Sequence, residues 1–420
     1  VQEMEQRKIL VFADWGDSGS PLFIGTLYST PSRGKEILSF EYSKGWLESG
    51  FAQQLDPDLQ FYTGLQYLKE GKANFGIFMD SAPDRWGRML IRRRESIRAR
   101  ESRRKEKTLL ESDFLLGVYD QYRIGGLRFK LEKDGAFLND DKGLTVPPRT
   151  SLKELEIACL KIEDESNPDK EEARWLNMLL APGSSLGGAR PKASALDQNK
   201  RLCIAKFPSR NDTKDVGAWE MVAGDLAKQA GINMAEGNIV RLSSPYHTYF
   251  TRRFDRLEEG KRIHFASAMT MLGYNDGADA TEGASYLDIV GFLIKHGSRS
   301  DPDLEELWRR IVFSICIKNT DDHLRNHGFL LTETGWCLSP AYDINPVETG
   351  TGLRLNISEN DNSLDLDLAM EVAPFFRLPD KKANQIIEKV KSVVKSWRRV
   401  ADKYKIPKSE QDRMSGAFQL

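Results

Sequence analysis

The stretch from Ser314 to Pro346, SICIKNTDDHLRNHGFLLTETGWCLSPAYDINP, constrains this chain more than any other. An apolar segment runs into a polar, charge-dense loop. Two short apolar runs then flank a Gly-bearing turn, and Tyr342-Asp343 follows. That order predicts the end of a buried helix, a loop, and two strands joined by a turn. Asp321 and Asn326 stand five positions apart in the loop, and Asp343 comes after the second strand. The fold-back gathers a carboxylate able to take a proton and two oxygen-bearing side chains able to ligate a hard cation.

The D-x-x-x-x-N spacing is that of a kinase catalytic loop, in which the Asp orients and deprotonates a hydroxyl and the Asn holds a metal ion. Asp343 stands where a second Mg²⁺ ligand is needed. Further upstream, GSSLGGARPKASAL (residues 183–196) is a loop of small residues leading into a strand. Gly187, Gly188 and Ala189 would let backbone N–H groups approach phosphate oxygens, and Lys192 adds a positive charge at the same end. The loop is neither a Walker A sequence nor G-x-G-x-x-G, and an ordinary connection has the same composition. The next strand, RLCIAKF, carries Lys206 among apolar residues. It is either a phosphate-binding lysine or an edge-strand lysine facing water. Glu220, in the first turn of the helix VGAWEMVAGDLAKQAGI, is either its partner or a surface carboxylate favoured by the helix dipole.

Composition narrows the classes. The chain has 420 residues and a formal net charge of −1, so no overall charge points to nucleic acid or membrane. No apolar run approaches the ~20 residues of a membrane helix, and VQEMEQRK at the start has no signal-peptide core. A cytoplasmic protein without membrane contact is expected. Cys159, Cys203, Cys316 and Cys337 form no C-x-x-C pair, which favours reduced, buried thiols over a zinc site.

Three regions are expected. Residues 1–140 begin with antiparallel strands over 8–47 and turn helical from Thr63. The tract Arg85–Lys107 is basic, but Glu95, Glu101 and Glu106 interrupt it, and Met89, Leu90, Ile91 and Ile97 supply a packing side. A solvated helix explains it more readily than a phosphate-binding surface. Residues 134–150 read as a linker, and Ser151 with Glu154 as a capping box. Residues 151–260 carry the phosphate loop, the Lys206 strand, a helix with Gly231 as C-cap, and two strands meeting at Ser244-Pro245. Arg252, Arg253 and Phe254 fall where a hinge would offer its backbone to adenine. Alternatively, Arg253, Asp255 and Arg256 form a local ion-pair cluster. Residues 261–420 are mainly helical, with 347–380 poorly patterned.

Together GGARPK, IAKF, RRFDR, NTDDHLRN and SPAYD resemble the HipA family, bacterial serine/threonine kinase toxins of type II toxin–antitoxin systems. Residues ~8–130, with PDRWGR, resemble that family's N-terminal region. The resemblance implies an α+β fold: a bilobal protein-kinase-like core with a β-rich N-terminal module and a mainly helical C-terminal lobe. It implies Asp321 as catalytic base, Asn326 and Asp343 as Mg²⁺ ligands, and Lys206 on the ATP phosphates. Gly187, Gly188, Ala189, Arg190, Pro191 and Lys192 become the phosphate loop, and Arg252, Arg253 and Phe254 the adenine hinge. His323, Leu324, Arg325 and Tyr342 complete the nucleotide surroundings, with His323 ordering the loop. Ser185 falls where family members autophosphorylate, and a phosphate there would repel ATP. The expected partners are a HipB-like helix-turn-helix antitoxin, DNA only through that antitoxin, and a protein substrate such as an aminoacyl-tRNA synthetase or another translation component. Many members carry a Glu-Asp pair where this chain has Ala266-Ser267-Ala268-Met269, which leaves substrate contacts from that region open. Two alternatives stand beside this reading: a small-molecule kinase of the same broad fold, and a catalytically silent antitoxin-binding corepressor.

Overall fold

The computed structural model describes residues 6–16, 19–32, 35–140, 152–164, 172–180, 188, 190–257 and 260–418. The linker residues 141–150 and the capping-box residue Ser151 lie outside that set. The chain falls into two compact units, Val1–Arg210 with Asp255–Ala266, and Asn211–Phe254 with Ser267–Leu420. These bounds differ from the three expected regions, because 152–210 clusters with the N-terminal module and 211–254 with the C-terminal part.

The first unit is built on an antiparallel five-stranded sheet. Its order is Gln66–Tyr67, Lys35–Tyr42, Leu22–Ser32, Arg7–Ala13 and Leu127–Lys130. Alternation decides which face is buried: Ile9, Val11 and Ala13 on one strand, and Leu38, Phe40 and Tyr42 on another, point into the core. The helical turn expected at Thr63 is not there. Gln66 and Tyr67 instead pair with Phe40 and Ser39, and helix begins at Gly76. A neighbouring strand already in place overrides so short a local pattern.

The basic tract forms the helix Arg85–Glu101, capped by Asp84, whose carboxylate accepts from the Gly87 N–H at 2.8 Å. Trp86, Leu90, Ile91 and Ala99 face inward. Several of its charges are used locally: Arg88 makes two 2.7 Å bonds to Glu111, Arg104 binds Glu95 at 2.6 Å, and Lys107 binds Asp113 at 2.8 Å. Arg123 is wholly buried and donates to the carbonyls of Ser81, Leu115, Val118 and Leu138. It crosslinks three segments: the end of the helix Gly76–Ser81, the helix Glu111–Gly117 with its cap Val118, and the stretch at Leu138.

In the second unit, the helix Val216–Ala230 packs on the hairpin Gly237–Arg241 and His247–Arg252. Gly231 ends that helix in the left-handed region at φ 92°. Tyr286–His296, Ser300–Cys316 and Asp380–Val394 are long helices around a core that includes Trp308 and Phe313, and the shorter helix Trp397–Lys403 follows the third after a break. Leu366–Val372 and Lys408–Met414 add two short helices that the sequence pattern does not announce. Gly328–Thr332 and Gly335–Leu338 form the predicted hairpin, with Phe329 opposite Leu338. Cys159, Cys203 and Cys316 are buried, Cys337 is half-buried, and all four are free thiols. No helix among the described residues is long and apolar enough to cross a membrane.

Candidate active site

The Ser300–Cys316 helix stops where Lys318 enters the left-handed region at φ 46° and the chain turns into the loop. Two backbone bonds tighten that loop: His323 N–H donates to the Asp321 carbonyl at 3.0 Å, and Asn326 N–H to the His323 carbonyl at 2.8 Å. Asn326 Nδ2 also donates to the Asp321 carbonyl at 3.0 Å. The amide is thereby oriented with its nitrogen on the loop, which leaves Oδ1 as the atom for a cation. Asn326 is buried, while the Asp321 side chain is exposed. A group that must meet a substrate hydroxyl needs that exposure.

The segment after the hairpin is tied to the same loop. Tyr342 Oη donates to the Arg325 carbonyl at 2.7 Å. Asn326 and Asp343 are the next residues on each side of this bond, so it brings the two metal-ligand candidates together. Asp343 has φ 57°, an unusual conformation for a residue with a Cβ. Asn345 Nδ2 donates to Asp343 Oδ1 at 3.2 Å, and Asn345 N–H donates to Asn319 Oδ1 at 3.2 Å. The buried Asn345 Oδ1 has no hydrogen-bond partner among the described residues. Two hard oxygen donors and an orphaned acceptor beside them suit Mg²⁺, which keeps several waters and takes few protein ligands. Phe254, the last hinge candidate, lies against Tyr342 with ring centroids 5.5 Å apart.

Beneath the loop lies a cluster that sequence reasoning missed. Tyr286 Oη donates to Asp322 Oδ2 at 2.6 Å, and His327 Nε2 sits 3.0 Å from Asp322 Oδ1 without alignment for a hydrogen bond. All three residues are buried. Burial pushes the Asp322 pKa up, but the His327 charge and the interactions with His327 and Tyr286 together outweigh it and hold the carboxyl below its ordinary value. Asp322 lies inside the NTDDHLRN motif, Asn319 opens it, His327 directly follows it, and Asn345 stands two residues beyond Asp343. His323 is half-buried, and its backbone rather than its ring ties the loop.

Of the remaining candidates, the phosphate loop, Lys206, Asp255 and Arg256 belong to the first unit, and Arg252 and Arg253 to the second. Lys192–Leu196 and Leu202–Lys206 form an antiparallel hairpin in which Lys192 is directly opposite Lys206. Lys192 is buried, and its ammonium lies 2.9 Å from the buried Asp84 carboxylate. Lys206 is half-buried at its strand end. Gly188 has φ 97°, and a Cβ there would stand 3.2 Å from Lys192 Nζ. Pro191 accepts from the Phe207 N–H through its carbonyl at 2.9 Å. Ser185, Gly187 and Ala189 lie outside the described residues, while Gly188 and Arg190 are within them. Asp255 and Arg256 do form a local ion pair at 2.7 Å, and Asp255 also accepts from the Gly125 N–H. Arg252 lies 3.5 Å from Glu236, and Arg253 is buried.

The chain is similar to known proteins in sequence and in fold. A protein of Haemophilus influenzae named "Putative kinase" is 25% identical over 199 residues, which is 42% of this chain and 58% of that protein. The serine/threonine-protein kinase toxin HipA of Shewanella oneidensis is 23% identical over 230 residues, 48% of this chain and 53% of that protein. The chain therefore spans little more than half the length of these curated relatives. A chain in the solved complex of Shewanella oneidensis HipA, HipB and operator DNA shares the fold with a TM-score of 0.63 at 19% identity, over 94% of this chain and 93% of that one. The profile of the HipA-like C-terminal domain matches residues 184–397, a little over half of the sequence, and takes in the hairpin of Lys206, the loop of Asp321 and Asn326, and Asp343. A chain with that domain and that fold belongs to the HipA-like family.

Proposed function

We propose that this protein is an ATP- and Mg²⁺-dependent serine/threonine protein kinase that acts as the toxin of a HipBA-like pair. The observation that carries the reading is the pair of bonds from Asn326 Nδ2 to the Asp321 carbonyl and from Tyr342 Oη to the Arg325 carbonyl. They support one constellation of an exposed carboxylate and two cation-ligating oxygens. Asp321 would orient the acceptor hydroxyl and take its proton. Asn326 Oδ1 and the Asp343 carboxylate would hold Mg²⁺, and Lys206 would sit on the ATP phosphates. Bound Mg²⁺-ATP supplies the phosphoryl group and the neutralising charge, so the protein's share is positioning and electrostatics. Gly187–Lys192 would line the phosphates and Arg252–Phe254 the adenine. A HipB-like helix-turn-helix antitoxin is the proposed partner, motivated by the related HipA solved with HipB and DNA. The proposed substrate is a translation component such as an aminoacyl-tRNA synthetase, and Ser185 is the proposed site of self-modification.

The test is incubation of purified protein with Mg²⁺ and labelled ATP, alone and with cell lysate, beside Asp321→Asn. Transfer should fall by ~10²–10⁴ in the variant while ATP binding survives. Mass spectrometry of peptide 183–192 should find phosphate in wild type only. Folded, unphosphorylated protein that binds ATP yet labels neither itself nor any lysate protein would refute the protein-kinase reading.

A further inference from the structure

The helix Val216–Ala230 carries Glu220, which is buried, in its first turns. Its placement is fixed from both sides by residues remote in sequence. On one side, Gly217 approaches the His247–Arg252 strand so closely that a Cβ would come within 2.3 Å of the His247 carbonyl oxygen. The helix-capping Asp215 binds that strand too, accepting from the His247 N–H at 3.0 Å and meeting His247 Nδ1 at 2.6 Å. On the other side stands the C-terminal segment. Glu410 Oε1 accepts from the Asp215 N–H at 3.0 Å and from Trp219 Nε1 at 2.8 Å. Trp397 and Phe418 stack at 4.3 Å and 8°, and each ring lies 6.0 Å from the Trp219 ring. Further along the helix, Asp225 accepts from Lys403 Nζ at 2.8 Å and Tyr404 Oη at 2.5 Å.

We propose that Glu410 is a positioning residue: through Asp215 and Trp219 it sets the first turn of the Val216–Ala230 helix, and with it the His247–Arg252 strand packed on that turn, so that the C-terminal segment governs nucleotide affinity. The inference rests on the kinase reading, in which the His247–Arg252 strand runs into the adenine-binding backbone of Arg252–Phe254. Glu410 is buried and accepts two donors that belong to consecutive parts of one turn. A buried carboxylate so placed fixes both the height and the rotation of the helix, because one donor is a backbone N–H on the axis and the other a side chain on one face. Helix misplacement by about 1 Å is enough to cost on the order of 10²-fold in rate.

The experiment compares full-length wild type, Glu410→Ala, Glu410→Gln and Trp219→Phe. Hydrogen exchange over 216–222, equilibrium ATP binding, and kcat and KM for phosphate transfer are measured. Glu410→Ala should speed exchange in the first turn, weaken ATP binding and lower kcat/KM roughly tenfold or more, mainly through KM. Glu410→Gln keeps an oxygen acceptor in place and should restore most of all three. Trp219→Phe keeps the ring packing and removes one donor, so it reports on the same contact if Glu410→Ala fails to fold. Wild-type exchange in the first turn of both donor- and acceptor-deleted variants overturns the proposal. So does faster exchange with unchanged ATP affinity and kcat/KM. A wild-type protein that neither binds ATP nor transfers phosphate would sink the kinase reading instead, and the exchange data would still judge the helix contact.

Discussion

Lys192 offers the sharpest test of how sequence motif and structure divide its work. The family resemblance puts it in the phosphate loop, yet its ammonium lies 2.9 Å from Asp84 with both side chains nearly inaccessible, at 3% and 2% exposure. It also stands directly opposite Lys206, and like charges facing each other across strands repel. Asp84 offsets that repulsion. At 2.9 Å and an effective dielectric constant of about 20, the attraction is about 6 kcal/mol before desolvation. Desolvating the two ions consumes much of that, so the pair contributes little net stability against an apolar pair. Breaking it from one side is different. Lys192→Met preserves volume and leaves Asp84 buried without its ammonium, at a cost of about 3–5 kcal/mol. Asp84→Asn keeps a helix-capping oxygen for the Gly87 N–H, so its cost comes mainly from the lost negative charge beside Lys192. The double variant should cost less than the two single costs together, by about 3 kcal/mol. Urea denaturation read by hydrogen exchange in peptides 85–101 and 192–206 measures the cycle. Additive single costs, or a Lys192→Met protein of wild-type stability that has lost only ATP binding, would refute the argument.

Two other predictions follow from buried contacts of the second unit. Tyr286→Phe removes the donor to Asp322 and should destabilise by about 1–3 kcal/mol in chemical denaturation, with phosphate transfer falling because the loop above it loosens. The Asp322 pKa is held below its ordinary value, so its contribution is present above the unfolded-state value near ~4 and is lost as pH falls through the lower folded value. Acid denaturation should begin at higher pH in Tyr286→Phe than in wild type, and identical acid transitions would contradict the assignment. Gly217→Ala forces a methyl group to within 2.3 Å of the His247 carbonyl oxygen and should cost about 1–3 kcal/mol, although alanine is the better helix former. A stabilised variant would show that the helix has room to move away from the strand.

The strands and long helices were legible because each is a local period. Alternation in KILVFADW and EILSFEYS, and the 3.6-residue pattern before Asn319, survive in the fold. The loop of Asp321 and Asn326 was legible because its spacing is set within one turn of chain. The Gln66–Tyr67 strand was not, since two residues hold no period and the pairing with Ser39 and Phe40 comes from a strand formed elsewhere. The roles of Asp322, Tyr286 and His327 were hidden for a similar reason. Tyr286 is 36 residues from Asp322, and nothing in either local sequence names the other.

The sequence by itself determined the chemical inventory: a carboxylate and an amide five apart, a second carboxylate after the hairpin, a lysine among apolar strand residues, and a near-zero net charge. Covalent spacing and side-chain chemistry are properties of the chain alone. The tertiary structure decided how those groups are held. It gave Lys192 to Asp84, 108 positions away, oriented the Asn326 amide on the Asp321 carbonyl, and set Glu410 under Trp219, 191 positions away. Such contacts depend on which buried donor meets which acceptor once the core closes, and burial is what makes an unmet partner costly. No local pattern carries that information, because it exists only when distant segments are brought within hydrogen-bonding distance.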